Sequence, residues 1–160
     1  MIPTLILALG NPLRGDDGVG AAVLQALKER ALGPHVELID AGTPGLETAL
    51  LLEGRARVIF VDAADFAAKP GSILKRDLTA LELELRPVHS DSLHAAGLLD
   101  ALALAAALGT FPARVTLYGV QPRSLDYETA LSAEVRAAIP QLVEAIITAL
   151  AEAQEIPPKS

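Results

Sequence analysis

The sequence predicts an α/β fold: a three-layer α/β/α sandwich with a mostly parallel, twisted sheet of about five strands, one antiparallel edge strand, and helices on both faces. Three observations lead there. Short runs of Leu, Ile and Val alternate with segments of helical period. Loops bearing Gly and Pro follow the carboxyl ends of those runs. The interval between the third and fourth runs is too short for the crossover helix that a parallel neighbour needs.

The first strand is the apolar run from Leu5 to Leu9, stopped at Gly10 by a Gly-Asn-Pro turn. Asp16 and Asp17 follow, directly before a helix whose apolar residues Val19, Ala22, Val23, Ala26 and Leu27 fall at helical spacing. If that helix begins near Asp17, Asp16 is its N-cap, accepting a hydrogen bond from an amide one turn in. Asp17 is then left ionised beside the helix terminus, available to a cation or a substrate donor. Both acids also have a purely structural reading, as residues that favour a helix start.

Gly33-Pro34 ends the first helix, and Val36 to Asp40 reads as a second strand. Leu46 to Leu52 is a short helix with Thr43 as a cap and Pro44 suited to its first turn. Arg57 to Asp62 is a buried strand, an unbroken β-branched and aromatic run that ends in a carboxylate. The run from Gly71 to Lys75 is the antiparallel edge strand, and Leu81 to Leu85 alternates apolar and acidic residues as a further strand or a lid. Ser90, Asp91 and Ser92 can each cap the long apolar helix from Ala95 to Leu108, which Gly109 stops. Arg114 to Val120 is the last strand, and a final helical region runs from about Ser132 to Ala153, interrupted or restarted at Pro140. Loops after the first, second, third and last strands, carrying Asp17, Asp40, Asp62 and Gln121, should gather along one sheet edge.

A chain of 160 residues suits one domain, taken as residues 1–153, with 154–160 as a frayed tail. Hydrophobic residues make up 51% of it but aromatics only 3%, so the core must be aliphatic. The formal net charge of -7 leaves no basic stripe for a nucleic-acid or anionic-membrane partner. With no cysteine, thiolate zinc sites and iron–sulfur clusters are excluded, and any metal must be held by oxygen or imidazole nitrogen. The start Met1-Ile-Pro lacks the features of a secretory signal, which points to the cytoplasm.

Chemistry concentrates on Asp17, Asp62 and a histidine near the start of the long apolar helix, either His94 or its rival His89. Two hard oxygens and an imidazole suit a divalent transition metal, and three protein ligands leave positions open. Asp62 could equally end a strand and cap a turn, and His94 could be a packed helix-start residue. His35, beside a Gly-Pro turn, reads as solvent-exposed. No dinucleotide fingerprint or phosphate loop is present, and the Ser/His/Asp letters of residues 90–94 lack a nucleophile elbow.

Five motifs in order resemble the nickel-iron hydrogenase maturation proteases: Gly10-Asn-Pro-Leu-Arg-Gly-Asp-Asp-Gly-Val-Gly20, Asp40-Ala-Gly-Thr-Pro-Gly45, Val61-Asp62-Ala63, His94-Ala-Ala-Gly-Leu98 and Tyr118-Gly-Val-Gln-Pro122. The resemblance spans nearly the whole chain. It implies that Asp17, Asp62 and His94 are the metal-contacting residues, with His94 preferred to His89 because Gly97-Leu98 sets the register. The first of these positions is often glutamate in that family. The resemblance also implies the α/β/α sandwich and an endopeptidase that trims the C-terminal extension of the hydrogenase large-subunit precursor after nickel insertion, with nickel supplied by that substrate. Asp16 would then hold its loop and Thr43-Pro44-Gly45 would flank the cleft. Two competing readings are a nickel-dependent checkpoint that docks without cutting, and a different hydrolase on the same scaffold.

Overall fold

The computed structural model describes residues 3–81, 93–128 and 130–154, apart from the side chains of 93–96 and 153–154. Among them, strands β1 (Thr4–Leu9), β2 (Val36–Gly42), β3 (Arg57–Ala63), β4 (Ile73–Leu78) and β5 (Arg114–Val120) form one sheet of order β2-β1-β3-β5-β4. All pairs are parallel except β4 with β5. The short return after β3 therefore has the predicted outcome, since too few residues intervene for a crossover. Helices α1 (Val19–Lys28), α2 (Leu46–Leu52), α3 (Leu93–Ala107) and α4 (Ala133–Gln154) complete the sandwich.

Side-chain alternation along the strands divides the core in two. Ile6, Ala8, Ile59 and Val61 face α1 and α4, packing on Val19, Val23, Leu142 and Ile146. Leu5, Leu7, Val58 and Phe60 face the other way, onto Leu52 of α2 and Leu98 and Leu102 of α3. Both faces of the central strands are thus covered, and their residues read as an unbroken apolar run for that reason.

Three local expectations are corrected. Asp16 is not an N-cap: a 3-10 turn, Gly15–Gly18, precedes α1 and encloses both acids. Gly45 rather than Thr43 precedes α2, and its amide donates to Thr48 Oγ1 at 3.1 Å. Helix α4 runs without interruption through Pro140, whose missing amide sacrifices one intrahelical bond while Val135, Leu142, Ile146 and Leu150 keep the helix buried on the sheet. The alternating segment beyond Leu81, together with His89, Ser90, Asp91, Ser92 and residues 155–160 of the expected tail, lies outside the described residues, whereas Gln154 ends α4.

Candidate active site

The strand order creates one crevice of chemical interest. From β1 the chain crosses through α1 to β2 on one side, then through α2 to β3 on the other, so the carboxyl ends of β1 and β3 form a topological switch point. Asp17 and Asp62 both lie there. The β1–β3 ladder ends at Ala8 and Val61, one residue before Asp62. Above it, Gly20 of α1 comes so close that a Cβ would stand 2.6 Å from Leu9 O and 2.7 Å from Val61 O. That approach seats the first turn of α1, and the acids just ahead of it, on the crevice.

Asp17 is 3% exposed, and its Oδ2 accepts the Asn11 amide at 2.7 Å. Gly10, at φ +110°, makes this possible, since a Cβ there would lie 2.2 Å from Asp17 O. Asp62 is 7% exposed, and its Oδ1 is buried with no hydrogen-bond partner. Burial pushes the Asp62 carboxyl up to about 7, the negative charge of Asp17 adds to the rise, and the Ala63 amide opposes it. A carboxylate so placed is short of a partner, and a cation would supply one.

His94 belongs to the first turn of α3, and its side chain lies outside the described residues. The helix start is anchored one turn on: a Cβ at Gly97 would stand 2.6 Å from Pro44 O, so α3 abuts the loop leaving β2 at this same sheet edge. Among the described residues no three metal-ligating side chains cluster, and Asp17 with Asp62 supply two members of the expected set. Asp40 is exposed, with Oδ1 occupied by the Gly42 amide at 3.1 Å, and stands apart from the buried pair.

Two buried polar residues have roles that local sequence does not reveal. Asp16, 1% exposed, accepts hydrogen bonds from the amides of Arg123 (2.8 Å), Ser124 (3.2 Å) and Ser132 (2.7 Å) and from Ser132 Oγ (2.9 Å). Burial alone would raise this carboxyl, but these donors together hold it below its ordinary range. Gln121, 7% exposed, accepts the Phe66 amide at 2.8 Å and the Ala68 amide at 3.3 Å, and donates to Asp65 Oδ1 at 3.1 Å. The sequence places Gln121 at the sheet edge after the last strand, but its bonds to the 65–68 loop enter only through the fold. Nothing near Asp16 in sequence points to donors more than a hundred positions away.

Comparison with known proteins decides the family. Residues 21–149 match the hydrogenase maturation protease family model. The hydrogenase 2 maturation protease of Escherichia coli is 33% identical over 150 residues, covering 92% of this chain and 90% of that protein. The chain belongs to the hydrogenase maturation protease family. The hydrogenase maturating endopeptidase HybD from E. coli superposes with a TM-score of 0.85 at 31% identity, over 95% of this chain and 94% of that one. The [NiFe] hydrogenase maturation protease HybD from Thermococcus kodakarensis gives a TM-score of 0.75 at 28% identity, over 93% and 99%. Family membership and fold therefore agree with the five sequence motifs.

Proposed function

We propose that this protein is an endopeptidase that removes the C-terminal extension of a nickel-iron hydrogenase large-subunit precursor once nickel has been inserted, and that it acts in the cytoplasm. Asp17, Asp62 and His94 would dock on the nickel carried by the precursor and so register the scissile peptide against the sheet edge. The observation that carries this reading is the buried Oδ1 of Asp62, without a partner and beside the second carboxylate of Asp17, in a member of a maturation protease family. Hard oxygen donors with an imidazole suit such an ion. A metal at such a point can polarise a peptide carbonyl or acidify a water. Asp62 must give up its proton to bind the ion, and Asp17, held by the Asn11 amide, keeps its carboxylate oriented toward the crevice.

The test is an intact-mass assay of nickel-loaded precursor beside a nickel-free control. Loss of a C-terminal peptide from the loaded sample alone is expected. Association without any change in mass would favour a checkpoint protein, and hydrolysis of small esters or amides without precursor would favour another hydrolase. Asp17→Asn and His94→Ala are each expected to reduce processing at least a hundredfold with unchanged circular dichroism; processing retained by both would overturn the ligand assignment.

A further inference from the structure

Asp17 stands in the 3-10 turn that precedes α1, and Asp62 is the penultimate residue of β3. The β1–β3 ladder stops at Val61, and Asp62 has its ladder partner, Gly119, on the β5 side. Besides the seating of α1 on Leu9 O and Val61 O, the turn that holds Asp17 and the loop that follows Asp62 are both tied to one segment, the end of β5 and its connection to α4. On the Asp17 side, the Asp16 carboxylate binds Arg123, Ser124 and Ser132, the Gly15 and Asp16 amides donate to Glu128 O (2.7 Å) and Ser124 O (3.0 Å), and Arg14 lies 5.5 Å from the Tyr127 ring centroid. On the Asp62 side, the Gln121 carboxamide forms the polar centre of the 64–68 loop, and the Ala64 amide donates to Val120 O at 3.0 Å.

Resting on the function proposed above, we infer that the β5–α4 connection is the frame that sets the spacing of the two acids, with Asp16 and Gln121 as positioning residues that hold Asp17 and Asp62 respectively. Asp16 points away from the crevice while its neighbour Asp17 points in, so a carboxylate that touches no substrate governs one that does. Small displacements of a reacting group are costly, which gives the frame a kinetic signature.

The experiment compares wild type with Asp16→Asn, Gln121→Ala and the milder Ser132→Ala, which removes one of the four donors to Asp16 and the acceptor of the Val135 amide. Steady-state processing of nickel-loaded precursor should show kcat lowered at least tenfold in the first two variants, with KM within twofold of wild type. Amide hydrogen exchange on the free protein gives a second readout. Asp16→Asn should speed exchange at Asn11, which contacts Asp17 but not Asp16, and Gln121→Ala should do the same at Ala63. Faster exchange confined to residues 123, 124 and 132, or to 66 and 68, would reduce both side chains to local braces and overturn the inference, as would unchanged kcat in folded variants. If wild type leaves the precursor uncut, the function proposed above fails, and the exchange data still decide whether the frame exists.

Discussion

Asp62 carries an electrostatic cost that the fold accepts to keep an unpaired oxygen in the crevice. Its carboxyl is raised from 3.8 to about 7, so between those values the folded chain binds more protons than the unfolded one, and stability falls as pH rises. The full penalty, about 4 kcal/mol, is present above pH 7 and is relieved as pH drops toward 4. In metal-free protein, Asp62→Asn should therefore flatten the pH dependence of the denaturant midpoint across this window and be the more stable protein at pH 8. Because Asp17 contributes to the rise, Asp17→Asn should move the Asp62 titration downward, as followed by carboxyl carbon NMR. At this scale the sequence was partly legible. Asp17 and Asp62 could be picked out because each stands at a strand's carboxyl end, where α/β folds bind ligands. Local sequence makes Asp16 a helix cap and the family resemblance makes it a holder of its loop, but the donors Arg123, Ser124 and Ser132 that engage it enter only through the fold.

Elements were more legible than their ends. Strand runs such as Arg57–Ala63 are buried on both faces and so carry a continuous apolar signal, and the edge position of β4 followed from a loop length. Caps depended on turn geometry that composition does not determine, which is why Thr43 gave way to Gly45 and why a 3-10 turn displaced the start of α1 to Val19. Pro140 predicts an interruption or restart, but burial of Val135, Leu142, Ile146 and Leu150 on the sheet carries α4 through it. The packing of α1 supplies a test at this scale. Gly20→Ala sets a methyl against two backbone carbonyls that cannot swing aside, so the helix must lift from β1 and β3. The expected loss is about 1–3 kcal/mol by denaturant unfolding. Processing should fall as well, because the turn bearing Asp17 lifts with the helix.

For the molecule as a whole, the charges of the terminal strand matter as much as its core. Within the described residues β4 ends the sheet, and its Lys75, Arg76 and Asp77 are exposed, a pattern that discourages edge-to-edge association. Replacing Lys75 and Arg76 together by valine should leave the far-ultraviolet spectrum intact and shift the sedimentation-velocity distribution to larger species than wild type; a distribution indistinguishable from wild type would show that other features guard this edge. The order of the strands has a temporal consequence too. Asp17 and Asp62 are encoded in the first half of the chain, yet the groups that brace them lie at residues 120–132, from the end of β5 onward. During synthesis the amino-terminal residues emerge first, but a domain generally folds as a unit. A ribosome-bound chain that has already exposed both acids still lacks residues 120–132, so on the function proposed above the site is complete only once nearly the whole chain has emerged.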